Sequence, residues 1–183
     1  MGSIKIHEFI AVDGVFEDPS WTQEFAFDPR MGEAIGAVMG SCSAILLGRR
    51  TFEMFAPAWS SRPADAPGAA FMNESPKYVV CGSPTIPAWR NSERLGPYRP
   101  DAIRELKAGV EGGIYVSGSG TLVRALLADG LADELHLFVY PVLRGSGLRL
   151  FADGGPVTTF TLAGSEAYPN GVVHLTYTPG SAG

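Results

Sequence analysis

Two short segments of this chain combine glycine with residues that bind anions. In the first, the apolar run 45–47 ends at Gly48, and Arg49, Arg50 and Thr51 follow where a helix is expected to begin. Guanidinium groups suit phosphate oxygens, and a helix N-terminus adds unpaired backbone N–H groups and a positive dipole end. Taken alone, the segment is equally compatible with a surface turn that carries two solvated arginines.

The second segment follows the apolar run 114–116 and reads Ser-Gly-Ser-Gly-Thr-Leu over residues 117–122. Its small residues leave room for a pyrophosphate, although its spacing matches neither the dinucleotide fingerprint nor the phosphate loop with Gly-Lys-Ser/Thr. A tight turn between strand and helix is the alternative. Two such segments in one chain favour a ligand with more than one phosphate, which is the shape of a dinucleotide.

Candidate substrate-binding residues are an acid and three aromatic side chains. Asp13 follows the first predicted strand and could bind an N–H group of a heterocycle or move a proton, with a simple turn former as the alternative. Trp21, Phe52 and Phe55 could form the wall of a pocket for a flat ring. Aromatic residues more often lie in the core, so each is a weak candidate by itself.

Composition excludes several classes of protein. The net charge of -5 argues against a general nucleic-acid binder, and no apolar run is long enough to cross a membrane. The first residues lack the apolar stretch of a signal peptide. Cys42 and Cys81 stand far apart and indicate reduced thiols in a cytoplasmic protein, while His7, His136 and His174 show no metal-ligand spacing. We therefore predict neither a metal site nor a nucleic-acid or membrane partner.

The order of the predicted elements indicates one α/β domain over residues 1–178, followed by a flexible tail at 179–183. Strand-like and helix-like segments alternate, which is typical of a mainly parallel central sheet with helices on both faces. Residues 13–23 and 56–70 are predicted as loops. Near the end, alternating segments at 158–163 and 172–178 flank Asn170-Gly171 and predict an antiparallel hairpin.

In this order, three segments resemble the dihydrofolate reductase superfamily: Ala-Val-Asp-Gly at 11–14, Leu-Gly-Arg-Arg-Thr-Phe at 47–52 and Val-Ser-Gly-Ser-Gly-Thr-Leu at 116–122. They are more closely similar to the C-terminal reductase domain of the bifunctional riboflavin-biosynthesis deaminase/reductase and its stand-alone bacterial relatives. Residues 131–135 and 141–151 also agree with that group. The zinc deaminase signature is absent, so the resemblance implies no deamination.

The resemblance implies NADPH as cofactor and hydride transfer to a small heterocycle, pterin-like or a ribosylated pyrimidine. Arg49 would contact the adenosine 2'-phosphate, and Arg50 and Thr51 would hold the pyrophosphate from one side. The implied cofactor-binding residues are Gly48, Arg49, Arg50, Thr51, Ser83, Val116, Gly118, Ser119, Gly120, Thr121 and Leu122.

Three acids are open as the one that faces the nicotinamide, namely Asp13, Glu24 and Asp28, and Asp13 is the expected catalytic residue. The resemblance also implies a cytoplasmic homodimer that acts on a small-molecule substrate. A nucleotide- or ligand-binding protein of the same fold without turnover is the alternative. A structural dimerisation module, suggested by the apolar run 135–143 alone, ranks last.

Overall fold

The computed structural model describes residues 1–151, 154 and 157–180, and one sheet of eight strands forms its centre. The strands are β1 (Ser3–Ala11), β2 (Cys42–Gly48), β3 (Lys77–Val80), β4 (Ser92–Gly96), β5 (Gly113–Val116), β6 (Glu134–Tyr140), β7 (Phe160–Ala167) and β8 (Val173–Pro179). Their order across the sheet is β4-β3-β2-β5-β1-β6-β8-β7.

The sheet is parallel from β4 to β6 and antiparallel at its other edge. Each neighbouring pair from β4 to β6 runs parallel, whereas β8 pairs antiparallel with both β6 and β7. Parallel neighbours need crossover connections, which the intervening helices supply, while a short turn suffices for the hairpin. The predicted mainly parallel sheet with a C-terminal antiparallel hairpin is therefore confirmed.

Helices cover both faces of the sheet, as predicted. They are α1 (Pro29–Gly40), α2 (Arg49–Ser60), α3 (Ala69–Glu74), α4 (Pro100–Gly109) and α5 (Gly120–Ala128), with a short 3-10 helix at Pro19–Glu24. Apolar residues of α4 and α5 share one buried cluster with the sheet. Those of α1, α2 and α3 share the clusters on the opposite face. None of the helices in the described part of the chain has the length and hydropathy of a membrane-spanning segment.

The central strand β1 shows how the sequence divides between the two faces. Successive side chains of a strand point to opposite faces. Ile4, Ile6 and Ile10 are buried in the cluster beneath α4 and α5, whereas Phe9 and Ala11 pack on the α1 side. The carboxyl end of β1 is thus held between two packed layers, next to the ends of β5 and β6.

The predicted loop at 56–70 is partly helical. Helix α2 continues through Pro57 to Ser60, and α3 begins at Ala69. Proline lacks an N–H donor and usually ends a helix, which is why the sequence predicts a loop there. Phe52 and Ala56 before the proline and the half-buried Trp59 after it pack in one cluster, which stabilises the helix on both sides of the proline.

Three further boundaries differ from the predictions. The 3-10 helix begins within the predicted loop at 13–23 and ends one residue beyond it. Strand β4 was not predicted because exposed charges, Glu93 and Arg94, occupy its centre, a composition that protects edge strands from pairing with other chains. At the end of the chain, Pro179 belongs to β8, and Gly180 N donates to the Thr159 carbonyl at 2.9 Å. The ordered hairpin thus runs two residues past 178, and the rest of the predicted tail, 181–183, lies outside the described residues.

Candidate functional site

The two glycine segments predicted to bind phosphate lie against each other. They follow the carboxyl ends of the adjacent strands β2 and β5, and Gly48 N donates to the Gly118 carbonyl at 3.5 Å. A Cβ atom at Gly48 would overlap the Ser119 hydroxyl, and one at Gly118 would lie 2.7 Å from Thr51 Oγ1. Gly118 also has a φ of +76°, a conformation that favours glycine, and its peptide bond to Ser119 is cis.

Two helices begin at this point of contact, and neither has a side-chain cap. Helix α2 follows Gly48 as its N-cap, and α5 follows Ser119, with no side-chain hydrogen bond at either N-cap. The first-turn N–H groups of a helix have no partner within the helix, and the dipole places positive charge there. In open α/β sheets, ligands bind beyond the carboxyl ends of the strands. The carboxyl ends of β2 and β5 therefore carry two adjacent sets of anion-binding donors.

Both arginines of the first segment are exposed beside these helix ends. Arg49 Nη1 lies 3.2 Å from Glu53 Oε1, one helical turn further along α2. Exposed ion pairs contribute about 0–1 kcal/mol, so Arg49 can exchange this partner for a phosphate group at little cost. Thr51, in contrast, is buried within the contact between the two segments.

The remaining residues predicted to bind a cofactor fall into two groups. The side chains of Val116 and Leu122 are buried in the core, so these residues can offer only backbone groups to a ligand, whereas Thr121 is exposed. Ser83 lies beyond the end of β3 and is half-buried, with its hydroxyl 3.4 Å from Thr85 N. Cys81 Sγ lies 3.6 Å from the Ser83 carbonyl.

Asp13 fastens the segment after β1 to the segment after β6. Its Oδ2 accepts a hydrogen bond from Gly145 N at 2.8 Å, and Arg149 Nε donates to its carbonyl at 2.9 Å. The Gly145 amide is the main reason why the pKa of Asp13 lies below the usual range of an aspartate. Its Oδ1 is shielded from solvent and has no hydrogen-bond partner. The group is therefore an ionised acceptor at neutral pH.

A polar cleft of about 420 Å³ opens beside this contact. Glu17 is one of its acids, and Glu17 Oε2 also accepts a hydrogen bond from Leu148 N at 3.1 Å. The cleft is lined by Val15, Glu17, Asp18, Ser20, Arg144, Ser146 and Gly147. A larger cleft of about 470 Å³ lies where β3 and β4 begin.

The three aromatic residues predicted to wall a pocket do not form one wall. Trp21 is buried against Tyr140, with ring centroids 5.4 Å apart. Phe52 has no exposed surface and packs on Trp89, so its ring cannot contact a ligand without rearrangement. Phe55 is half-buried on the same helix, α2. Phe52 and Phe55 therefore belong to the cluster under α2, whereas Trp21 belongs to the cluster near β6.

The other two candidate acids differ in their surroundings. Asp28 caps α1, because its Oδ1 accepts a hydrogen bond from Arg30 N at 2.9 Å, and this bond lowers its pKa. Glu24 is exposed at the end of the 3-10 helix. The structure therefore gives Asp28 a local structural role and brings neither acid into the contact of the glycine segments.

Sequence reasoning missed one acid at the site, Glu8. It lies on β1 between Ile6 and Ile10, it is 7% exposed, and the backbone N–H of Gly118 is directed at its carboxyl group. Burial raises its pKa to about 8. The signal in the sequence was an acid at the one polar position in an otherwise apolar alternation of isoleucines.

The three histidines are buried or half-buried on the α1 side of the sheet. His7 Nδ1 lies 2.7 Å from the Tyr115 hydroxyl, and His136 Nδ1 lies 3.2 Å from His174 Nε2. Burial lowers the pKa of His7 to about 3 and that of His174 to about 4, so both are neutral at physiological pH. In residues 1–151, 154 and 157–180, no three His, Cys, Asp or Glu side chains are grouped so as to hold a metal ion.

The sheet order and the helices on both faces define an α/β protein of the dihydrofolate reductase-like fold class. Within this class, the profile of the RibD C-terminal domain matches residues 3–92 and 98–174, and the chain belongs to that family. The family match confirms the predicted resemblance. Comparison with curated protein sequences gives no significant match.

Solved structures share the fold at low sequence identity. A protein from Shewanella sp. PV-4 assigned to riboflavin biosynthesis is 20% identical with a TM-score of 0.80, over 98% of this chain and 99% of that one. A pyrimidine reductase-like protein from Corynebacterium diphtheriae is 16% identical with a TM-score of 0.71, over 99% and 93%. Dihydrofolate reductase from Enterococcus faecalis is 14% identical with a TM-score of 0.65, over 98% of each chain. Membership of the family supports an oxidoreductase enzyme.

Proposed function

We propose that the protein is an NADPH-dependent reductase that transfers hydride to a small heterocycle, pterin-like or a ribosylated pyrimidine. The observation that carries this proposal is the contact between the two glycine segments. It brings two uncapped helix N-termini together at the carboxyl ends of β2 and β5. Two adjacent anion sites suit a ligand with more than one phosphate, such as a dinucleotide. The Enterococcus faecalis neighbour was solved with NADP(H), which supports the same choice of cofactor.

The residues present fit such a cofactor. Because Gly48 and Gly118 lack a Cβ atom, the two segments approach each other closely. Arg49 would bind the 2'-phosphate, and Arg50, Thr51 and the amides of residues 118–120 would hold the pyrophosphate. When bound, NADPH supplies the hydride, and the protein contributes orientation and charge.

Asp13 is proposed as the substrate-binding acid. Its pKa is lowered by the Gly145 amide, so it would act by accepting an N–H donor of the heterocycle rather than by giving up a proton. The polar cleft beside it contains Glu17 and Arg144, which suits a substrate with several donors and acceptors. We propose this cleft as the substrate end of the site.

A nucleotide-binding protein of the same fold without turnover is the second candidate. One observation favours it: Asp13, the expected catalytic residue, is ionised and already bound to the Gly145 amide, so it has no proton to give to a substrate. The two candidates differ in turnover and share the same cofactor site.

Titration with NADPH and with NADH, followed by protein fluorescence, tests both candidates. The reductase proposal expects saturable binding of NADPH and its oxidation at 340 nm with at least one member of a panel of pterins and aminopyrimidine ribosides. Saturable binding without oxidation of any substrate would favour the non-catalytic candidate. Absence of saturable binding by either dinucleotide would exclude both.

We also propose a cytoplasmic homodimer, as the family resemblance implies. Sedimentation equilibrium of the purified chain measures the mass in solution directly. A mass near the 19.4 kDa of one chain across micromolar concentrations would contradict the dimer.

A further inference from the structure

We propose that Glu8 is a positioning residue for the phosphates of the bound ligand, and that the segment 117–120 binds them only while the Glu8 carboxyl group carries its proton. The inference deepens the proposed function and rests on it, because it assumes that this segment receives a pyrophosphate.

The geometry of Glu8 sets it apart from every acid that the sequence singled out. Its side chain projects from the middle of β1 to the face where Ile6 and Ile10 are buried, beneath α5. The residue is 7% exposed, and its Oε1 has no hydrogen-bond partner. The backbone N–H of Gly118 is directed at the same carboxyl group. A buried acid therefore lies directly under the segment expected to hold phosphate.

Glu8 and a bound phosphate would share the same donors. The amides of residues 118–120 lie immediately before and at the start of α5, whose N-cap Ser119 makes no side-chain capping bond. An ionised carboxylate below this turn would draw the Gly118 amide inward and place a second negative charge beside the ligand. Like charges in a poorly solvated site repel strongly, because the effective dielectric constant is low. A protonated carboxyl group leaves these amides to the ligand.

The neighbouring groups do not neutralise an ionised Glu8. Arg124, the cation of α5, donates instead to the carbonyl groups of residues 149 and 150. From β5, Tyr115 is close enough for its pKa to be raised by the charge of Glu8. The carboxylate of Asp13, on the segment after β1, is bound to the Gly145 amide. Strand β6 presents leucine and valine side chains on this face.

Two consequences follow for binding. Burial raises the pKa of Glu8 to about 8, so the proton is held at neutral pH and lost in mildly alkaline solution. If the complex retains the proton, the ligand raises the pKa further. The affinity should then fall by up to about tenfold for each pH unit above about 8, and binding above pH 8 should take up as much as one proton.

The test compares the wild-type protein with Glu8→Gln, which keeps the shape of the protonated group and cannot ionise. Dissociation constants for NADPH and for ADP are measured between about pH 6.5 and pH 9.5. ADP carries a pyrophosphate, lacks the nicotinamide, and is fully ionised in the alkaline half of this range. Glu105→Gln, which removes an exposed acid of α4, is the control. The expected result is an affinity that falls above about pH 8 in the wild type and in the control, and stays constant in Glu8→Gln.

A second measurement does not depend on the folding of the variant. Calorimetry of the wild type at about pH 8.5, in two buffers of different ionisation enthalpy, gives the number of protons taken up for each ligand bound. Uptake of up to one proton supports the inference, and no uptake overturns it.

The outcomes separate this inference from the proposed function. If NADPH and ADP bind with the same pH dependence in wild type and Glu8→Gln, Glu8 has no such role, while the cofactor proposal stands. If ADP binds with the expected dependence and NADPH does not bind, the choice of cofactor is wrong and the inference stands. If neither binds at any pH, both are overturned.

Discussion

At the scale of single residues, the roles of the acids follow from which backbone amides they meet. Asp13 and Asp28 each accept a hydrogen bond from an exposed backbone N–H, and both pKa values are lowered. Glu8 faces the Gly118 amide inside the core, where the cost of burying a charge outweighs that hydrogen bond and its pKa rises. Burial, which the sequence does not state, therefore decides which acid can hold a proton at neutral pH.

Substitution of Arg49 tests the proposed recognition of the 2'-phosphate. Arg49→Ala removes a guanidinium group that NADPH would use and NADH would not, so we expect the dissociation constant for NADPH to rise about tenfold, or about 1.4 kcal/mol, with little change for NADH. Fluorescence titration with both dinucleotides measures the two constants. Arg90→Ala is the matched control, because Arg90 is also an exposed arginine in a surface ion pair, with Glu74. Equal losses for NADPH and NADH would remove Arg49 from 2'-phosphate recognition.

Substitution of Asp13 tests whether its carboxylate holds the segment after β6. In Asp13→Ala, the Gly145 amide loses its acceptor, so we expect faster hydrogen exchange at Gly145 and its neighbours. Asp13→Asn keeps an acceptor oxygen and should exchange at an intermediate rate. In the wild type, the lowered pKa means that this anchoring is complete above the ordinary pKa of an aspartate and is lost as the pH falls through the lower value. Unchanged exchange in Asp13→Ala would contradict the anchoring role.

At the scale of elements, the site depends on how closely two strand-to-helix turns approach. Neither turn has a specific signature by itself, and the sequence alone left each one compatible with an ordinary turn. Their strands, β2 and β5, are adjacent in the sheet, although they are far apart in the chain.

 The 64 residues from Arg49 to Gly112 separate the last residue of β2 from the first residue of β5. The site therefore exists only once the sheet has formed.

Substitution of Gly118 tests this close approach. Gly118→Ala forces an alanine into a positive φ and places its Cβ atom 2.7 Å from Thr51 Oγ1, so we expect a loss of stability and of dinucleotide binding. Gly130→Ala is the matched control, because Gly130 also has a positive φ, of +62°, but no atom within 4 Å of the added Cβ. The control should cost about 1 kcal/mol of unfolding free energy for its backbone conformation, and Gly118→Ala about 1–3 kcal/mol more for the overlap.

Urea unfolding of the two variants measures both costs. Thr51→Ala removes the hydroxyl that the new Cβ would meet, so the penalty of Gly118→Ala should shrink in a Thr51→Ala background. Equal losses of unfolding free energy in Gly118→Ala and Gly130→Ala would show that the two glycine segments accommodate the added Cβ atom without strain.

Much of the element order could be predicted from the sequence, and the failures have physical reasons. Periodicity and the Asn170-Gly171 turn identified the core strands and the hairpin, because those signals are local. Strand β4 and the continuation of α2 past Pro57 depend on tertiary contacts, which no local pattern records. The same is true of the site: the glycine segments were found by composition, whereas the place of Glu8 beneath one of them follows only from the sheet.

At the scale of the whole molecule, buried ionisable groups on opposite faces of β1 shape the dependence of stability on pH. Between pH 4.5 and about 8, native Glu8 holds a proton that the unfolded chain releases, so stability falls as the pH rises. His7 acts in the opposite sense: below its ordinary pKa of 6.5, the unfolded chain binds a proton that the native state excludes, so stability falls as the pH drops toward about 3. Between pH 4.5 and 6.5 these two effects cancel, and His174, whose pKa is lowered to about 4, acts in the same sense as His7. We therefore expect a maximum of stability near about pH 6.5.

Glu8→Gln tests the alkaline side of this curve. The wild type should lose about 1–2 kcal/mol of unfolding free energy between about pH 6.5 and pH 8, whereas Glu8→Gln should lose much less. Urea unfolding at several pH values in this range gives both slopes, with Glu105→Gln as the surface control. If the unfolding free energy of Glu8→Gln falls with pH as steeply as that of the wild type, another group causes the fall.

The central position of β1 has a consequence for how the chain is made. Its neighbours are β5 and β6, so its first partner is not complete until Val116 has been synthesised, and its second until Tyr140. A growing chain on the ribosome must therefore carry its first apolar strand without a partner through most of translation, when such strands are prone to aggregate. We infer that this sheet closes late and cooperatively, and that the yield of folded protein in cells depends on how well the nascent strand is shielded until then.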